Sequence, residues 1–230
     1  MHHLVHVARP ALKGAFRHGQ GDSLEDPVRS LCVHRQLAAQ ADDDDVDGGL
    51  DPAFWEAFPS FDDEAVAEAV AACARYAEGA VQRAEAGEDE PQRAAVEYTK
   101  LFVGPPSPAA APWETMYRGK NVTVGFGQAT FEMRELLREA GLEVRNVNNQ
   151  YEDHLGIELL YLSSLCARAD ADAADAPVPE SVADFIEKHP LSWVDAFRAR
   201  IAEAAPDGYF VSLAGLARAL LAWHAEALRV

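Results

Sequence analysis

The chain has 230 residues, of which 49% are hydrophobic, and carries a formal net charge of −18 with a pI near 4.7. That length fits one large domain or two small ones and can bury a sizeable core. The charge argues against a nucleic-acid backbone or an anionic membrane as partner, since both need a basic patch, while it permits attraction to a basic peptide. Alanine is abundant and β-branched runs are few, so composition favours helix. Cys32, Cys73 and Cys166 are too few and too widely spaced for a disulfide framework or a zinc ligand set. No apolar run approaches the roughly 18 residues of a membrane span, and no signal-peptide pattern or Arg-Arg pair is present. The expected location is cytoplasmic.

Residues 1–50 read as a poorly defined amino-terminal segment. Met1, His2, His3 and His6 offer nitrogen ligands for Cu(II) or Ni(II), which is expected to be incidental chemistry rather than function. Leu24, Val28, Leu31 and Leu37 allow a helix over 24–40, with Pro27 in its first turn. Asp42 to Gly49 reads as a solvated acidic linker, because it lacks the Glu-ended loop of an EF-hand.

From residue 51 the pattern is helical. Phe54, Trp55, Phe58 and Phe61 mark a short aromatic helix, and Asp62 is expected to cap the next one. That helix runs to about Ala86 with Val66, Val70, Cys73, Ala77 and Val81 inward, and Gly87 ends it. A third helix starts near Pro91 and carries Val96, Leu101 and Phe102 into a long loop. The loop breaks at Gly104, continues through Pro105, Pro106, Pro108 and Pro112, and ends in Trp113, Glu114, Met116 and Tyr117. Prolines remove donors and disfavour helix in the preceding residue, and structureless connections this long are often functional. Gly125 and Gly127 are too short a match for a dinucleotide fingerprint. Further helices are expected over Thr130–Ala140, from about Leu155 to Cys166, around Val182–Ile186, around Trp193–Ile201 and over Tyr209–Leu228. An Ala/Asp-rich link occupies 169–179. The expected fold class is all-α, about eight or nine helices with no convincing strand, forming a single helical domain over 51–230 whose acidic and Ala/Asp links leave hinge-linked halves open.

His154 and Glu158 lie four apart on one helix flank, behind Glu152 and Asp153 at its start. Such a pair can act as an acid/base dyad, or it can hold a neighbouring loop by hydrogen bonds. A helical hydrolase or nucleotide-handling enzyme using Asp153, His154 and Glu158 is therefore the alternative reading. The chain lacks a nucleophile elbow, a Walker lysine loop and a His-Glu-x-x-His pair.

Three segments together resemble one family. FVGPPSPAAAPWETMY (102–117) is similar to the Phe-x-Gly-Pro … Pro-Trp-Glu-Ser-x-Tyr stretch of the TorD/DmsD redox-enzyme maturation chaperones. EDHLGIELLYL (152–162) resembles their Glu-Pro-x-Asp-His-x-Gly-x-Glu-Leu motif, and HPLSWVDAF with YFVSLA resembles their carboxy-terminal helices. The resemblance covers roughly 54–225. It implies a cytoplasmic, non-enzymatic chaperone that binds the twin-arginine signal peptide, or the body, of an apo molybdopterin oxidoreductase subunit and assists cofactor insertion before export. No catalytic residue, metal or cofactor of its own is implied, and a monomer or a domain-swapped dimer is expected. Carried over by position, the peptide-binding residues are Phe102, Gly104, Pro105, Trp113, Glu114, Tyr117, Asp153, His154 and Glu158. Gln150 and Tyr151 depart from the family's Glu and Pro, Thr115 stands where Ser is usual, and the family's first helix has no clear counterpart in 1–50. Arginine forks favour carboxylates, and Glu114, Glu152, Asp153 and Glu158 are the acceptors on offer.

Overall fold

The computed structural model describes residues 6–8, 46–119, 122, 124–145, 150–170 and 177–229. Met1, His2 and His3 of the amino-terminal histidine site, the helix expected over 24–40, Asp42–Asp45 and most of the second Ala/Asp link lie outside them. The described chain is all-α apart from one short ladder. The strands β1 (His6–Ala8) and β2 (Glu143–Arg145) pair antiparallel with Val7 opposite Val144. That ladder corrects the expectation of no strand.

The helices are α1 (Val46–Gly49), α2 (Pro52–Glu56), α3 (Glu64–Glu85), α4 (Glu90–Tyr98), α5 (Gln128–Glu139), α6 (Leu155–Asp170), α7 (Pro179–Lys188), α8 (Pro190–Ala204) and α9 (Tyr209–Ala227). Part of the acidic linker is thus a helical turn, α1, and its Gly49 carbonyl accepts the Trp55 indole N–H at 2.9 Å. Asp63 caps α3 in place of the expected Asp62, accepting from Val66 N at 2.8 Å. The reason is local: Phe61 and Asp62 both take the left-handed conformation, which sets the first helical turn one residue later. On α3 the inward position is Ala80, and Val81 is 41% exposed; on α4 Val96 is exposed as well. The α4 backbone widens into a π-turn at Thr99–Val103, which turns Leu101 fully inward.

α9 is the element common to the packing. Its Leu216, Ala219 and Leu220 meet Trp55, Phe58, Val66, Val70 and Cys73 of the amino-terminal helices. Its Leu221 and Ala225 join α5, α6 and α7, and its Ala214 joins Leu101, Trp193, Phe197 and Ile201. The start of α9 is fixed by Glu97 of α4, whose carboxylate accepts from Tyr209 N and Phe210 N at 3.0 and 3.1 Å. An acid at a helix N-terminus satisfies orphan donors and suits the helix dipole. α3 and α4 are stapled by a forked Arg83–Glu90 ion pair, both bonds 2.8 Å, with Glu90 buried. That pair holds the Glu90 carboxyl below its ordinary pKa.

Gly104 ends the π-turn at φ +95°, and a Cβ there would stand 2.8 Å from the Ser107 backbone. Replacing it forces both strain and a clash with the loop. Gly104→Ala is expected to cost about 1–3 kcal/mol. A Cβ at Gly79 within α3 would meet only Arg83 Nη1 at 3.1 Å, the guanidinium nitrogen that Glu90 does not hold, and a shift of a few tenths of an ångström there relieves it, so Gly79→Ala is expected to stabilise by about 0.5–1 kcal/mol. Urea midpoints of the two variants should therefore move in opposite directions; equal shifts would contradict the assigned backbone.

Candidate functional site

The proline loop folds back on its own helix and then docks against the start of α6. Ala109 N and Ala110 N donate to the Lys100 and Leu101 carbonyls, and Ala110 and Ala111 are buried. Two residues on, Trp113 and His154 form an isolated antiparallel bridge: Glu114 N donates to Asp153 O, and Leu155 N donates to Pro112 O, both at 3.0 Å. A short 3-10 turn, Glu114–Met116, follows.

The Asp153 side chain lies beneath this bridge and is fully buried. Its Oδ2 accepts from Thr115 N at 2.8 Å, and its Oδ1 accepts from the Thr130 hydroxyl at 3.0 Å. Thr130 in turn accepts from Gly127 N at 3.1 Å, so one carboxylate joins the loop, the start of α5 and the start of α6. Burial pushes the Asp153 carboxyl above the usual carboxylate range, and the bonds from Thr115 and Thr130 pull it back. Gly127 lies against this junction, where a Cβ would meet Thr115 Cγ2 at 2.5 Å. Close packing accounts for this glycine without a phosphate.

A second buried group adjoins the first. Glu114, also fully buried, binds Arg118 through Oε1, with Nε at 2.7 Å and Nη2 at 2.6 Å. Its Oε2 faces His189 Nδ1 at 3.0 Å. The Ser192 hydroxyl donates to the His189 carbonyl at 2.8 Å and lies 3.3 Å from Glu114 Oε1, and Arg118 also reaches Glu132 at 2.7 Å. Glu158 approaches Glu114 from α6 and accepts the Trp193 indole N–H at 3.2 Å. Desolvation first, and the neighbouring Glu114 second, raise the Glu158 pKa well above its ordinary value. That shift favours a protonated Glu158, whose Oε1 has no other partner and can donate toward Glu114. Two carboxyl groups sharing a buried site avoid repulsion by keeping one proton between them.

Atoms of Glu114, Glu158 and His189 lie within 4.8 Å of one another, a spacing that a metal ion would accept. Arg118 already supplies a positive charge at Glu114, and the raised Glu158 pKa favours a protonated carboxyl over a metal ligand there.

His154 is half-buried, and its Nδ1 accepts from Gly156 N at 3.0 Å. Desolvation lowers the imidazole pKa to about 4, so the ring is neutral near pH 7. His154 and Glu158 do not form a dyad: the first is turned to its own backbone and the second faces Glu114 and Trp193. The hydrolase reading loses its machinery, since the described Asp153 and Glu158 are sealed and engaged. Of the remaining expected residues, Trp113 is half-buried against Tyr151, while Phe102 and Tyr117 pack into the cluster of Trp193 and Phe197. Gly104 is buried and Pro105 exposed. Reading the sequence by spacing missed Thr130, Arg118 and His189. The His-x-x-x-Trp pattern at His189 and Trp193 was the available signal for the last.

The described residues thus form an all-α domain around a sealed polar centre. The family model described as nitrate reductase delta subunit matches residues 61–199, and the chain belongs to that family. Relatives include "Chaperone protein TorD" of Vibrio cholerae serotype O1, 30% identical over 145 residues that make up 62% of this chain and 65% of the relative. Another is "Tat proofreading chaperone DmsD" of Salmonella typhimurium, 26% identical over 173 residues, 75% of this chain and 74% of the relative. The chain thus spans just under two thirds of the TorD relative's own length. Both are named as chaperones rather than enzymes. No helix among the described residues is long and apolar enough to cross a membrane.

The buried proton gives a pH test. A group whose folded pKa is raised contributes most below its unfolded pKa, about 4.5 for Glu, and this contribution is lost as pH rises through the folded value. Glu158→Gln carries a permanent donor and lacks that loss. The variant's stability relative to the parent should therefore grow as pH rises above about 4.5, read from urea midpoints across pH 4.5–8. A difference independent of pH would remove the shared proton.

Proposed function

We propose that this protein is a cytoplasmic redox-enzyme maturation chaperone that binds the twin-arginine signal peptide, or the body, of an apo molybdopterin oxidoreductase subunit and holds it until its cofactor is inserted. The observation that carries this reading is the docked loop: residues 112–117 are clamped to the start of α6 by the Trp113–His154 bridge, beside a row of aromatic side chains. A signal peptide of this kind has a basic start and an apolar middle, and an acidic protein with a partly exposed aromatic face complements both. The relatives' printed names, one a chaperone and one a Tat proofreading chaperone, support the same reading.

The expected site residues divide into two roles. Trp113 and His154 are half-buried beside the exposed aromatic row and are the contact residues of the proposed site. Glu114, Asp153 and Glu158 are buried and act by positioning the loop, with Gly104 and Pro105 shaping its entry. Phe102 and Tyr117 brace it from the core side.

Calorimetric titration with a synthetic peptide carrying an Arg-Arg pair and an apolar stretch tests the proposal. Saturable binding is expected, weaker for the Gln-Gln peptide and weaker again in higher salt, where screening shortens the reach of the acidic surface. A folded sample that ignores several such peptides would contradict the signal-peptide reading.

A further inference from the structure

Beside the bridge, the surface carries exposed apolar side chains: Val124 (59% exposed), Phe126 (39%) and Phe131 (51%). Phe126 meets Phe131 at 5.0 Å and Tyr151 at 5.5 Å between ring centroids, and Tyr151 meets Trp113 at 5.7 Å. Four rings thus run from α5 to the docked loop. Tyr151 stands at one of the two positions where the chain departs from the family motif.

Arg134 lies over this row. Its guanidinium carbon is 5.9 Å from the Phe126 centroid and 5.8 Å from that of Phe131. Nε and Nη2 donate to the two oxygens of Glu152 at 2.8 and 3.0 Å. Two aromatic rings and a forked carboxylate are the surroundings in which a guanidinium binds best, and an ammonium cannot reproduce the fork. Arg83, Glu90 and Tyr76 repeat this chemistry elsewhere, but Glu90 there is 3% exposed and buried between helices. At Arg134 the side chain is 51% exposed, so the pair is weakly held and open to exchange. Of the four carboxylates the sequence offers to an incoming arginine, Glu152 is the one that is not fully buried.

We propose that Arg134 is a built-in occupant of an arginine-receiving site, and that an arginine of the client peptide displaces it from Glu152. The apolar residues next to that arginine then settle on Phe126, Phe131 and Tyr151. The exchange replaces one guanidinium by another, so Glu152 stays neutralised throughout. Arg134 acts as an internal competitor that sets a threshold for peptides lacking both an arginine and an apolar stretch. This rests on the signal-peptide reading above.

The two partners of the pair should respond with opposite sign. In titrations of the full chain with the Arg-Arg peptide, Arg134→Ala is expected to tighten binding about threefold or more, because the competitor is gone. Glu152→Gln is expected to weaken it about tenfold, because the fork is lost. The double variant should bind as weakly as Glu152→Gln alone, and a Lys-Lys peptide should gain little from Arg134→Ala. Unfolding midpoints of both variants should stay close to the parent, since both changes lie at the surface. Arg-dependent binding that is unchanged or weakened by Arg134→Ala would overturn the exchange while leaving the peptide reading intact. Failure of both the parent and Arg134→Ala to bind would overturn the two together.

Discussion

The structure depends on one buried carboxylate. Asp153 is sealed from water, which is costly for an acid, and it stays there because a loop amide and a threonine hydroxyl come to it from two other segments. Removing it would leave Thr115 N–H and the Thr130 hydroxyl without their acceptor. The Trp113–His154 bridge, the docked loop and the first turn of α5 all hang on that point. The neighbouring group of Glu114, Arg118, His189 and Glu158 extends the hold to the junction between α7 and α8, where His189 sits between two helices that follow without a linker.

This arrangement separates shape from contact. The acids that a sequence reading offers to a peptide arginine are, for the most part, inside, where each already has a donor. Charge at the surface next to them is carried by Glu152 and neutralised by Arg134. Under the proposed function a substitution at Asp153 or Glu158 would act through the loop it disorders, and a loss of binding in such a variant would not place a peptide on those residues. Surface substitutions are the informative ones. The aromatic row from Trp113 to Phe131 has the exposure and the composition to take apolar side chains, and its geometry depends on the loop being held down.

Much of the fold was legible in the sequence because helices announce themselves by apolar spacing and by their ends. Gly87, Gly104 and Gly141 end helical stretches in left-handed conformations, and His189–Pro190 separates α7 from α8. The left-handed pair Phe61–Asp62 moved the cap to Asp63. Leu101 and Phe102 of the π-turn pack inward as their apolar character suggests, whereas Val81 and Val96, apolar but on the outer faces of α3 and α4, are exposed. The candidate site was legible as a set of residues but not as a surface. Spacing along α6 puts His154 and Glu158 on one flank. It says nothing of Thr130, Arg118 and Trp193, which arrive from other elements and decide that the two side chains serve different partners.

Amide hydrogen exchange at Glu114, Thr115 and Leu155 tests the central claim most directly. These three N–H groups donate to Asp153 O, Asp153 Oδ2 and Pro112 O. If the buried carboxylate is the anchor, they should exchange as slowly as the core amides of α9, through global unfolding, even though they belong to a loop. In Asp153→Ala they should become fast while α9 stays protected. Fast exchange at these positions in the parent protein, with α9 protected, would contradict the account.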